Sequence, residues 1–321
     1  MRRLLILMLT VAALHGCRRA ASPPPERLLP GPRSGFALAY DAARANVLLF
    51  GGSDSANVRL GDTWTWTPAG WTRHDLPGPS PRSDAQVAYD AARQRVVLFG
   101  GLTPGGRSGE TWTWDGGAWT RADTTGPPPR QLGAMAYDAA RARAVLFGGS
   151  GPGRATLGDT WLWDGAAWTE AAPAASPSPR GAHLMTYDAA TDRVVLLGGY
   201  DGRVRNDLWA WDGATWTLRD TTTTPPRLHG SLAYDASEDA LLLFGGFSEQ
   251  QRESDVWLWR GGRWAQQPAA GPEVRAEHDG VFVPGVGYVA FGGVVGQEMA
   301  AGERRKSNAL WIYRDGAWQP W

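Results

Sequence analysis

The chain has 321 residues, 43% of them hydrophobic and 20% charged, enough apolar side chain to bury a core and too little bias for a fibre or a disordered tail. Lys plus Arg and Asp plus Glu balance at 32 each, which removes the general attraction to phosphate that drives nonspecific nucleic-acid binding. A single cysteine excludes an intramolecular disulfide and any cysteine-rich metal site.

At the amino terminus Arg2 and Arg3 precede an uncharged run from Leu4 to Leu14. The run is too short to span a bilayer as a mature helix and has the length of a secretory h-region. It stops at Leu14-His15-Gly16-Cys17, which resembles a bacterial lipoprotein signal, in which the cysteine is lipidated and becomes the first residue. The resemblance implies a signal over 1–17, lipidation at Cys17 and an address in the cell envelope, on the outer membrane, with membrane contact through the anchor alone. Residues 18–32, RRAASPPPERLLPGP, carry five prolines and no apolar period. At about 3.1 Å per residue this segment is a stiff tether of roughly 45 Å.

From Arg33 onward the chain repeats. Gly-Gly pairs close an apolar run at Gly51, Gly100, Gly148, Gly198, Gly245 and Gly292, spaced 47 to 50 residues apart. Aligned on them, the chain divides without remainder into 33–81, 82–129, 130–179, 180–226, 227–274 and 275–321. Each copy holds four short segments, written RSDAQVAYD, RVVLFGG, ETWTWD and AWT in the second, rich in β-branched and aromatic residues and bounded by Gly, Pro or Asp. Between the first two, Tyr-Asp-Ala-Ala-Arg recurs at Tyr40, Tyr89 and Tyr137, where the Asp can bond the turn backbone. Between the last two, Asp-Gly recurs at Asp115, Asp164 and Asp212, another hairpin signal.

Four strands per copy and no helical pattern make each copy a small antiparallel sheet that cannot bury both faces alone. Six such sheets packed around an axis resolve this, so the expected fold is all-β: a six-bladed propeller with four antiparallel strands per blade. These segments resemble the kelch repeat family over residues 33–321: an apolar strand ending in Gly-Gly, a variable loop, an acidic residue with Trp, and a later Trp. The resemblance implies a kelch-type propeller that presents one face of loops to a partner. It also points to galactose oxidase, whose radical cofactor needs a Tyr cross-linked to a Cys; the sole cysteine here lies in the signal, so no cofactor is expected. The sixth copy diverges most, with Phe282 for Tyr and Tyr313 for the second Trp. The first copy begins with its first strand and the last ends with its fourth, so ring closure is expected from packing of blades one and six, unless Glu26 to Leu29 adds an edge strand.

Eighteen tryptophans invite a sugar-stacking role. Three per copy, as in Trp64, Trp66 and Trp71, place two on one sheet face and the third across a hairpin, which assigns them to packing between blades. Trp321 alone falls outside the pattern. Arginine opens every copy, at Arg33, Arg82, Arg130, Arg180, Arg227 and Arg275, and the third strand opens with Asp62, Glu110, Asp159, Asp207, Asp255 and Asn308. Both strands begin at the same end of a blade, about 10 Å apart, so local pairing is expected ahead of an anion-binding ring. Among the histidines, alternation sends His183 and His278 to one sheet face and His229 to the other, which disfavours a three-histidine metal site.

No Gly-x-Ser-x-Gly, His-Glu-x-x-His or phosphate loop appears. The resulting expectation is a monomeric, non-catalytic, lipid-anchored kelch-type propeller that binds a protein or glycan partner through its loop face, with no metal. The alternative is an envelope enzyme acting on a sugar or glycan, with His183, His229, Glu277 and His278 at the channel mouth. One loop stands out. From the second Gly of each pair to the residue opening the third strand, blade six takes 15 residues where the others take 8 to 10. This loop, Val294 to Asn308, carries Arg304, Arg305 and Lys306, which with Arg275 and His278 form the expected site for an acidic partner.

Overall fold

The computed structural model describes residues 28–123, 125–268, 271–297 and 304–321. Cys17 and the first part of the tether lie outside the described residues. The strands of blade one are Ala37–Asp41, Asn46–Phe50, Thr63–Thr67 and Gly70–His74, paired antiparallel in chain order, and each later copy repeats the pattern. In blade six they are Asp279–Val283, Gly287–Phe291, Leu310–Arg314 and Ala317–Pro320. The protein is a six-bladed β-propeller, as the six copies require.

The second strand of each blade is apolar at successive positions because neighbouring blades cover both of its faces. Val47, Leu48, Leu49 and Phe50 are all buried to within 1% of full exclusion. Six core clusters result, each shared by two adjacent blades; Ala37 and Phe50 of blade one meet Val96, Leu98, Trp114 and Trp119 of blade two. The cluster closing the ring joins Phe36, Leu49 and Trp66 to Val289, Phe291 and Leu310.

Closure uses the same bonds as the junctions from blade one to blade five. Between blades one and two the Arg82 N–H donates to the Leu60 carbonyl at 3.0 Å, and the Gly52 N–H donates to the Arg82 carbonyl at 2.9 Å. At the seam the Arg33 N–H donates to Ser307 at 3.1 Å and Gly293 donates to Arg33 at 2.9 Å. This explains the recurrent Gly-Gly. Gly51 and Gly52 lie in the left-handed region, and a Cβ on Gly51 would collide with the Arg82 carbonyl. Trp321 adds a clasp: its N–H donates to Leu310 at 3.1 Å and its ring meets Trp66 edge-on at 5.8 Å. Leu28 and Leu29 are exposed and form no edge strand.

The three tryptophans of a copy are not equivalent. Trp66, Trp114, Trp163 and Trp211 are at most 1% exposed. Trp112, Trp161, Trp209 and Trp257 are half-buried, and each points its indole N–H at the acidic residue two positions earlier, Trp161 to Asp159 at 2.7 Å. The fourth-strand Trp119, Trp168 and Trp216 donate to Thr63, Thr111 and Thr160 of the preceding blade at 2.9 to 3.0 Å.

Candidate functional site at the channel mouth

The opening arginine of each copy is buried, none more than 3% exposed. Arg33, Arg130 and Arg180 grip Asp62, Asp159 and Asp207 with both ends of the guanidinium, and Arg82 and Arg227 hold Glu110 and Asp255. The glycine carbonyl ending the second strand takes a third bond in four of these blades, as from Arg130 to Gly148 at 3.0 Å. These are structural pairs, closed to an outside anion. Burial opposes ionisation of Asp62, Asp159 and Asp207, but the arginine hydrogen bond and charge outweigh it and hold these carboxyls below their ordinary range.

Arg275 is the exception, because the residue opening its third strand is Asn308. It is 1% exposed and bonds the Glu273 and Gly292 carbonyls, and burial pulls its guanidinium down to about 10. Asn308→Asp is expected to supply the missing sixth carboxylate and to stabilise the domain by about 1–2 kcal/mol, read as a raised denaturation midpoint.

Two residues beyond each arginine stand Gly35, Asp84, Leu132, Ala182, His229 and Glu277, all at positive φ. They form a closed circle of main-chain hydrogen bonds, each N–H donating to the carbonyl of the preceding blade. The bonds run from Gly35 to Glu277 (3.1 Å), Asp84 to Gly35 (2.7 Å), Leu132 to Asp84 (3.2 Å), Ala182 to Leu132 (2.8 Å), His229 to Ala182 (3.0 Å) and Glu277 to His229 (2.8 Å). The non-glycine members hold a conformation costing on the order of 1–3 kcal/mol each, sustained by the six bonds. This circle frames the mouth of a central cavity of about 440 Å³ lined by the first strands. Its polar side chains are gathered on one side. Ser34 donates to Glu277 at 3.0 Å, Ser83 donates to Asp84 at 2.8 Å, and the Asp84 carboxylate lies over Gly35. Burial, reinforced by the Glu277 charge, raises the Asp84 carboxyl; burial also acts on Glu277, but the His229 and Arg304 charges outweigh it and lower that group.

Asp279, further down the same cavity, is raised to about 7 by burial. A carboxyl raised in the folded state contributes stability below its unfolded value near 3.8, lost as pH rises through about 7. Wild-type stability relative to Asp279→Asn is therefore expected to decline from about pH 4 to pH 7, measured by denaturation at each pH.

The histidines divide as alternation requires. His229 stands in the mouth circle, while His183 and His278 are 4% and 5% exposed and pack edge-on against Phe147 and Phe244 of the preceding blades. Burial keeps both neutral, His183 down to about 3 and His278 well below its ordinary value. His278 Nε2 lies 2.8 Å from Ser231 Oγ, the spacing of a nucleophile and its base. Here the hydroxyl is shared with the Tyr288 phenol and all three groups are buried, so the chain of bonds serves the core. Among the described residues no group of three His, Cys, Asp or Glu is arranged to hold a metal.

The long blade-six loop reaches the same mouth, with Glu298, Met299 and Glu303 outside the described residues. Its three cations part company. Arg304 pairs with Glu277 at 2.9 Å, and Arg305 pairs with Glu273; their side chains remain 59% and 66% exposed. Lys306 is buried instead, donating to the Ser53 carbonyl and hydroxyl, the Asp54 carbonyl and Asn57 Oδ1 at 2.8 to 3.2 Å, and so ties the loop to blade one. Of the five residues expected to bind a partner, the structure places Arg304 and Arg305 at the surface and Arg275, His278 and Lys306 beneath it. Sequence reasoning missed Asp84. Its signal is positional, since it aligns with His229 and Glu277 at the third residue of a copy. No protein-family model matches the chain, and no curated protein matches it.

Proposed function

We propose that the protein is a non-catalytic binding module of kelch type, held in the cell envelope by a lipid on Cys17, and that its mouth face takes a protein or glycan partner bearing acidic groups. The observation that carries this reading is the asymmetry of that face: one loop is half again as long as any other, and its two exposed arginines stand beside the mouth circle. Their partners Glu277 and Glu273 do not immobilise them, because solvent-exposed ion pairs contribute only about 0–1 kcal/mol, and an acidic ligand can displace them. Lys306, Arg275 and His278 support the loop from below.

The test is capture of partners from an envelope extract by the mature protein and by the Arg304→Ser, Arg305→Ser double variant. Lys306 is left intact because it ties two blades together. The variant is expected to keep its melting temperature, to capture the partner more weakly and to show a flatter salt dependence. Undiminished capture refutes the reading. Cys17→Ala is expected to abolish labelling by a fatty-acid probe and to release the protein into the soluble fraction.

One arrangement favours the catalytic alternative: Asp84 and Glu277 stand in the mouth circle on either side of Gly35, hydrogen-bonded by Ser83 and Ser34, and burial raises the first carboxyl while the His229 and Arg304 charges lower the second, the pattern of an acid and a base. Release of reducing ends from envelope glycans by the wild type, abolished by Asp84→Asn and by Glu277→Gln, would establish that reading.

A further inference from the structure

On the face opposite the mouth, the turn joining the first and second strands of each blade abuts the next blade. At three junctions an arginine bridges the gap. Arg44 donates to the Asp41 carboxylate at 2.8 Å and to the Gln94 carbonyl of blade two at 3.0 Å. Arg93 repeats this with Asp90 and Ala142 at 2.9 and 3.5 Å, and Arg141 with Asp138 and Asp192 at 3.0 and 3.2 Å. Each arginine lies across the glycine of the neighbour's Asp-Gly turn, Gly116, Gly165 and Gly213, where a Cβ would overlap the side chain. The site therefore has three parts: a buried carboxylate, a turn carbonyl and a glycine floor.

Between blades five and six the sequence supplies Glu238 at the arginine's position. Glu238 turns to Arg260 of its own blade, and both stay about half-exposed. The carboxylate remains. Asp235 is 7% exposed, and its Oδ1 accepts from the Ser237 N–H and hydroxyl and the Glu238 N–H. Its Oδ2 has no hydrogen-bond partner among the described residues. Beside it lies a cavity of about 310 Å³, lined by Asp235, Glu238, Arg260, Phe282, Tyr313 and Arg314, with open space over Gly316. Both cations of the lining are answered: Arg260 by Glu238, and Arg314 by Asp315 at 3.4 Å and the Gly285 carbonyl at 3.3 Å. The volume is within the usual range for a small-ligand site, about 300–1,000 Å³. The neighbouring junctions differ. Thr191 caps Asp188 at 2.7 Å in blade four, and in blade six Val283 replaces the Asp and Val286 packs into the core.

We propose that the cleft between blades five and six binds the guanidinium of an arginine side chain presented by a partner polypeptide. The three earlier junctions show what this arrangement of carboxylate and glycine holds, and here the arginine comes from outside the chain. Asp235 accepts it as the acid of the lining that has no ion-pair partner among the described residues, the Glu238–Arg260 pair forms the rim, and Phe282 and Tyr313 flank its aliphatic stem. The site is independent of the mouth face.

The test is calorimetric titration of the intact mature protein with a capped Gly-Arg-Gly peptide, its lysine counterpart and free arginine. The arginine peptide is expected to bind saturably and the lysine peptide roughly tenfold more weakly, since an ammonium lacks the planar fork. Glu238→Arg is expected to fill the cleft from within, as Arg44 fills its own, raising the melting temperature and abolishing peptide binding. Asp235→Asn is expected to abolish binding with no rise in melting temperature; if it fails to fold, Glu238→Arg carries the test. Equal binding of the arginine and lysine peptides, or undiminished binding to folded Glu238→Arg, overturns the site. Binding of free arginine without the capped peptide overturns its assignment to a polypeptide.

Discussion

Asp159→Asn is expected to lower the stability of the propeller by about 3–5 kcal/mol, the cost of leaving a buried charge without its partner. With roughly 2–4 °C lost per kcal/mol, the melting temperature falls by on the order of 10 °C. Arg130 is fully excluded from solvent, and its guanidinium meets both Asp159 oxygens at 2.7 Å. Its remaining bonds go to the Gly148 and Pro128 carbonyls. Asparagine preserves the shape and removes the counter-charge, so the loss reads the charge pairing itself. Arg130→Met combined with Asp159→Leu is expected to cost much less than the sum of the single changes, because no unpaired charge is then left inside. A loss below about 1 kcal/mol for Asp159→Asn would reduce the pair to the rank of a surface ion pair.

The same pairs set the acid limit of the fold. Asp62, Asp159 and Asp207 are held below their ordinary range, with arginine overriding the opposing effect of burial. A depressed carboxyl contributes stability that is present above its unfolded value, about 4, and is lost as pH falls through the folded one. The gap between wild type and Asp159→Asn is therefore expected to close below about pH 4.

What the sequence makes legible is whatever repeats. Arg130 with Asp159, the Asp138 turn and the Gly-Gly bends recur at fixed spacing, and each recurrence reports one physical demand met from blade to blade, with blade six departing at Asn308 and Val283. What it hides is whatever depends on a side chain's partner across a junction. Lys306 stands beside Arg304 and Arg305 in the chain, yet its ammonium turns inward to four acceptors in the blade-one loop. Trp321 lies outside the repeat but closes on Trp66 at the seam. Asp84 carries no motif of its own, and only the circle of main-chain bonds brings it to the mouth with His229 and Glu277. Glu238 reads as a surface acid until Arg44, Arg93 and Arg141 are seen bridging their junctions.

Trp163→Ala is expected to cost about 3–5 kcal/mol, as truncation of a large aromatic in a core does. Trp163 is 1% exposed and packs with Val97 and Phe99 of blade two, with Trp168 tilted against it at 5.4 Å. Its indole nitrogen is buried with no hydrogen-bond partner, so the loss measures packing and cavity formation rather than a broken polar bond. Trp163→Phe, which keeps a ring in place and removes that nitrogen, is expected to recover most of the loss. The sequence pattern assigns the same weight to Trp161, but the structure separates the two. Trp161 is half-buried and its indole serves Asp159, so Trp161→Ala is expected to cost about 1–2 kcal/mol, within the ordinary range for point changes. Urea denaturation of the three variants, with the midpoint shifting at constant slope, checks the ranking. Equal losses for Trp161→Ala and Trp163→Ala would show that Trp161 contributes as much to blade packing as Trp163, contrary to the graded burial of the two.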